Sequence, residues 1–202
     1  MKLARTLPLM TLAGMLTIAV SATQAGLPQT AQAPAAAAAA PNPTVGGAAM
    51  DATKPIAENA AAAPNLTTLV SAAKSADLIA TLSGPGPYTV FAPDNDAFGR
   101  LAPGTVDTLL KPANKASLAK VLTYHIVPGI ITLDDLTQRM KAGGGSTTLT
   151  TVEGETLTVT NPGGAILLTD VNGNKSYVET PDVRQSNGVV HVVNGVLIPK
   201  LG

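Results

Sequence analysis

Residues 86–98 read Gly86-Pro87-Tyr88-Thr89-Val90-Phe91-Ala92-Pro93-Asp94-Asn95-Asp96-Ala97-Phe98, and this stretch decides how the rest is parsed. Tyr88 to Ala92 is a β-type run of aromatic and β-branched residues, closed by Pro93. Before it, Gly84-Pro85-Gly86-Pro87 stops any helix. After it, Asp94, Asn95 and Asp96 suit a helix start, because their side chains cap free N–H groups and their charge suits the positive end of the helix dipole. A carboxylate pair for metal or acid–base work is the competing reading of the same residues. A helix N-cap accounts for them more simply.

Upstream, Asn65 stands as a cap for a helix with Leu66, Leu69, Val70, Ala73 and Leu82 on its apolar side. Downstream, Asn114 stands before a second helix presenting Leu118, Val121 and Leu122. His125 to Thr132 is β-rich and interrupted by Pro128-Gly129. Residues 133–141 suit a short helix ending at the triple glycine 143–145. Strands follow: Leu157 and Val159 alternate with threonines, Ile166 and Leu168 form a second run, residues 176–179 a third, and 189–193 and 196–198 close the chain. Asn187-Gly188 and Asn194-Gly195 supply turn or bulge chemistry, which residue pattern alone does not separate. Helices early and strands late predict an α+β domain.

The N-terminus reads as an export signal. Lys2 and Arg5 precede an uncharged, mostly apolar run over residues 7–20, then Ser21-Ala22-Thr23-Gln24-Ala25. The run is shorter than the ~20 residues a spanning helix needs, so cleavage after Ala25 is expected. Residues 26–52 are rich in alanine and proline and carry no charge before Asp51. Such small side chains bury too little to offset ordering entropy, so this part reads as a flexible spacer and residues 53–202 as the folded domain.

Composition excludes several classes of function. There is no cysteine, so disulfide frameworks, thiolate metal sites and cysteine nucleophiles are absent. Formal net charge is zero and aromatic content is 2%, which argues against a nucleic-acid partner. His125 and His191 are the only histidines, and neither lies in a nucleophile elbow or a zinc-protease helix. They are expected to be structural, with no metal, no cofactor and no catalytic set.

Three strings together resemble a known family. Residues 86–98 resemble the first signature box of fasciclin domains, Ser186-Asn187-Gly188-Val189-Val190-His191-Val192-Val193-Asn194-Gly195-Val196-Leu197-Ile198-Pro199 resembles the second, and Leu122-Thr123-Tyr124-His125-Ile126-Val127 resembles the Tyr-His segment between them. The resemblance implies an α+β domain with a β-sandwich or wedge-like sheet core and helices packed around it. It makes Thr89, Phe91, Pro93, Asp94, Phe98, Asn187, Gly188 and His191 signature positions. It further implies a secreted or periplasmic, non-enzymatic adhesion module binding a cell-surface or matrix protein or polysaccharide. By the same resemblance, Tyr124, His125, Asp182 and Val183 would be the partner-binding residues. The alternative it leaves is a carrier of a small apolar ligand such as a carotenoid or lipid, a reading weakened by the shortage of aromatic residues.

Overall fold

The computed structural model describes residues 41–200; the expected export signal over residues 1–25 and the expected spacer up to residue 40 lie outside the described residues. In chain order the elements are β1 (Thr44–Val45), β2 (Ala48–Ala49), α1 (Ile56–Ala62), α2 (Thr67–Ser75), α3 (Ile79–Ser83), β3 (Tyr88–Pro93), α4 (Asn95–Gly99), α5 (Thr105–Leu109), α6 (Lys115–Tyr124), β4 (Ile126–Pro128), α7 (Leu133–Ala142), β5 (Ser146–Thr150), β6 (Thr156–Thr160), β7 (Leu167–Thr169), β8 (Lys175–Gln185) and β9 (Gly188–Val193). Seven strands form one mixed sheet in the order β4-β3-β9-β8-β7-β6-β5. This is the α+β architecture expected from the sequence.

The centre of the sheet joins the two ends of the motif pattern. β3 and β9 run parallel, with Phe91 opposite His191, and every other pairing in the sheet is antiparallel. Alternation along these strands divides the interior in two. Val90, Ala92, Val190 and Val192 point into a core built with α1, α2 and α6. Phe91 and Val193 point the other way, into a second core with Leu136 and Met140 of α7 and with Leu149, Leu157, Val159 and Leu168. The sheet curls around this second core until its ends meet: the N–H of Val152, just past β5, donates to the carbonyl of Ile126 in β4 at 2.8 Å. Short β4, ending in Pro128, is thereby covered rather than left as an open edge.

Several local expectations are corrected. The folded unit begins before residue 53. In β1 and just after β2, Val45 and Met50 are buried, and Asn42 bonds both the N–H and the carbonyl of Arg184. Two apolar side chains and one amide thus anchor a segment whose composition looks like a linker. The single helix expected after Asn65 is broken at Asp77, which takes a left-handed conformation (φ 56°) and separates α2 from α3. Asn65 caps nothing; Asn95 does that work from across the fold, accepting from Thr68 N–H at 3.0 Å and donating to the Pro64 carbonyl at 3.1 Å. Asn114 likewise makes no cap bond to α6. Residues 196–198 form no strand, and the tight turn lies at Ser186-Asn187, between β8 and β9.

Asp94 is the N-cap of α4, accepting from Ala97 N–H at 2.7 Å, and α7 opens with a reciprocal capping box between Thr132 and Asp135. The Thr132 N–H and hydroxyl both donate to the Asp135 carboxylate and hold it below the usual carboxylate range.

The C-terminal segment is held by a residue that the sequence reading passed over. The buried carboxylate of Asp170 accepts from Asn172 N–H, Asn174 N–H, Asn174 Nδ2 and Ile198 N–H, at 2.8–2.9 Å. Asp170→Ala strands all four donors and is expected to cost about 2–4 kcal/mol. Urea denaturation would measure this; a loss below about 0.5 kcal/mol would show that water replaces the carboxylate.

Candidate functional site

The residues of the three motif strings converge on backbone groups of the chain itself. Asn187, in the β8–β9 turn, accepts from Ile56 N–H at 3.0 Å and donates to the carbonyls of Leu82 and Gly84, both at 2.9 Å. One side chain therefore fixes the start of α1, the end of α3 and the turn. Beside it, Gly188 approaches β3 so closely that a Cβ would fall 1.9 Å from the Tyr88 carbonyl oxygen. Gly86 is its counterpart, with a Cβ position 1.9 Å from the Asn187 carbonyl oxygen. Glycine is required at both for contact rather than for φ.

Thr89 and His191 tie β3 and β9 to the approach to α7. The Thr89 hydroxyl donates to the Gly129 carbonyl at 2.7 Å and accepts from Ile131 N–H at 2.9 Å. His191 is fully buried and stacks on Phe91, with ring centroids 5.5 Å apart. Its Nδ1 accepts from Asp182 N–H at 3.2 Å, so Nε2 carries the proton and donates to the Ile131 carbonyl at 2.8 Å. Burial lowers its pKa, outweighing the hydrogen bond to Ile131 and the nearby Asp182 carboxylate. Pro93 and Phe98 are buried where β3 passes into α4.

His125 has the opposite tautomer. Nε2 accepts from Leu197 N–H at 3.0 Å, which leaves Nδ1 to donate to the Val121 carbonyl at 2.7 Å. Enclosed on all sides, it has its pKa pushed down to about 4, with desolvation as the main cause. Tyr124 is also fully buried: its hydroxyl donates to the Thr156 carbonyl at 2.9 Å and accepts from Val171 N–H at 3.3 Å. Burial raises its pKa to about 12.

These positions correct the partner-binding assignment. Tyr124, His125 and Val183 are interior residues with no surface to offer a macromolecule. Asp182 is half-buried, not exposed on a polar loop. It lies within β8 at a register shift, in a left-handed conformation (φ 56°), and its carboxylate accepts from Leu133 N–H at the start of α7 at 2.8 Å. Asp182 therefore links strand to helix. The structure does bring it close to His191, an association that linear spacing did not suggest.

No cluster of three or more metal-ligating side chains occurs among the described residues. An apolar cavity lies between the α1–α3 layer and the sheet, lined by residues including Met50, Ile56, Leu69, Val90 and His125. Its volume of about 30 Å³ accommodates a water-sized group, far less than a carotenoid or a lipid. No helix among the described residues is long and apolar enough to cross a membrane.

Comparison with known proteins agrees with this geometry. The Fasciclin domain family model matches residues 64–199. The chain is 44% identical over 154 residues to protein sll1483 of Synechocystis sp., covering 76% of this chain and 78% of that protein. It is 35% identical over 170 residues to immunogenic protein MPB70 of Mycobacterium bovis, covering 80% and 78%. Among solved structures, a FAS1 domain pair from the insect cell adhesion molecule fasciclin I superposes with a TM-score of 0.65 at 19% identity, over 72% of this chain and 51% of that one. The matched span takes in β3, the Tyr-His turn and β9, whose side chains hold this fold together, and on that ground the chain belongs to the fasciclin domain family.

Proposed function

We propose that this chain is an exported, non-enzymatic interaction module that adheres to a macromolecular partner at the cell surface or in the surrounding matrix. The observation that carries the reading is family membership, together with a fold shared with a cell adhesion molecule. The chemistry is consistent with it. His125, His191, Tyr124 and Asp170 spend their polar atoms on backbone groups, so these buried groups lack the freedom a general base or nucleophile requires. Contact with the partner then falls to the outer surface, and the interior motif residues set its shape.

Two measurements test this. Protein recovered from the native host should have an intact mass that begins at Gly26; a mass that includes Met1 would count against export. The same protein, labelled, should bind saturably to native-host cells or their extracellular matrix. Absence of saturable binding at micromolar concentration would reject the adhesion reading.

A further inference from the structure

The side of the sheet away from the α7 core is unevenly covered. Over β3 and β9 it is packed by α1, α2 and α6. Over β5 and β6 it is open, and Ser146, Thr148, Thr150, Thr156 and Thr158 are exposed; Thr160 and, on β7, Thr169 are half-exposed, whereas Leu167 of β7 on the same face is buried. The pairings set these hydroxyls in cross-strand rows: Ser146 beside Thr160, then Leu167, then Tyr177; Thr148 beside Thr158, then Thr169, then Lys175; and Thr150 beside Thr156. Spacing is about 4.8 Å between strands and about 6.8 Å along each strand. Solvated faces of antiparallel sheets usually carry polar residues, but here β5, β6 and β7 contain no ionisable residue. At the end of the first row lies Tyr177, 41% exposed, with Lys175 and Glu179 on either side along β8.

We infer that this threonine face, with Tyr177 as its stacking platform, is the surface that engages the partner, and that the partner is an uncharged glycan chain. The inference rests on the adhesion reading and narrows it. The only charges bordering the face on β8 are one lysine, Lys175, and one glutamate, Glu179, which cancel, so it lacks the clustered lysine and arginine that hold a nucleic acid or an anionic membrane. A stable protein interface wants an apolar, aromatic-rich centre, and the three large exposed apolar side chains among the described residues, Ile130, Val152 and Tyr177, are scattered over separate segments. A neutral polysaccharide has the matching chemistry. Its hydroxyls exchange hydrogen bonds with a lattice of threonine hydroxyls, its pyranose faces stack on an aromatic ring, and it brings no charge to desolvate. The row from Ser146 to Tyr177 spans about 14 Å across four strands, the reach of a short oligosaccharide.

The test is affinity electrophoresis of the full chain recovered from its native host. Gels contain hydroxyethylcellulose, xyloglucan, galactomannan or dextran as neutral probes, and alginate or heparin as anionic ones. At least one neutral probe should retard the protein, and 0.5 M salt should leave the retardation unchanged, because no ion pair is screened. Tyr177→Ala should weaken it about tenfold, the equivalent of one lost stacking contact. The pair Thr148→Val and Thr158→Val keeps shape and β propensity while removing hydroxyls, so it should weaken retardation without lowering Tm. Cells oxidised with periodate, which cleaves glycan diols, should lose binding, and protease-treated cells should keep it. Retardation by anionic probes alone, or retardation unchanged in both variants, overturns the inference. So does cell binding that only protease abolishes, which leaves adhesion standing with a protein partner; absence of binding to cells and probes alike removes both readings.

Discussion

Replacing Gly188 with alanine is expected to remove about 3 kcal/mol of stability or prevent folding outright. The added Cβ would fall 1.9 Å from the Tyr88 carbonyl oxygen, less than any tolerated contact, and that oxygen belongs to backbone fixed inside a parallel ladder. Relief requires β3 and β9 to move apart, and both cores are built on that pair. Gly86→Ala should behave alike, because its Cβ meets the Asn187 carbonyl oxygen. Gly99→Ala supplies the control: nothing lies within 4 Å of its Cβ position at the end of α4, so it should be neutral or slightly stabilising. Chemical denaturation of the three variants decides the point, and a Gly188→Ala protein within about 1 kcal/mol of wild type would show that the strands absorb the methyl group.

The second large effect is loss of stability in acid. Below about pH 6.5 the unfolded chain takes up a proton at His125, whereas the folded chain refuses it until about pH 4. The stabilisation from keeping this ring neutral is therefore complete above pH 6.5 and is lost progressively as pH falls to about 4. It amounts to about 3 kcal/mol at one pKa unit per ~1.4 kcal/mol. Protonation would also set an Nε2–H against Leu197 N–H, donor against donor. His191 acts in the same direction, its Nδ1 facing Asp182 N–H. Urea midpoints between pH 8 and pH 4 should fall steeply for the wild type and less steeply for His125→Gln, which starts lower. Equal slopes for the two proteins would show that His125 is not the titrating group.

Elements whose residues bury one face were legible in the sequence. Leu118, Val121 and Leu122 announce α6, and Leu157 and Val159 alternating with threonine announce β6. What escaped depended on partners far along the chain. Nothing near Asn65 indicates that Asn95 will satisfy the first turn of α2. Nothing near Asp182 indicates a left-handed residue inside a strand, because its conformation is fixed by His191 and Leu133. Asp170 reads as one more turn residue until Ile198 folds back onto it. Four serine or threonine residues and a single leucine conceal β5, an edge strand whose burial comes from α7 and β6. The Tyr-His segment misled most: a motif so easily recognised invites a binding role, and here it serves the interior.

The parallel union of β3 with β9 has a consequence for the order in which the molecule can form. About a hundred residues separate the two strands, and loop-closure entropy must be overcome before their contacts repay it. A chain delivered N-terminus first, from a ribosome or through a narrow pore, has no central strand pair until Val193 arrives. Until then β3 lacks the neighbour that shields Val90 and Phe91, and the helices lack a complete sheet to pack on. The domain thus stays threadable for almost the whole of its synthesis and acquires its shape as the last strand is released.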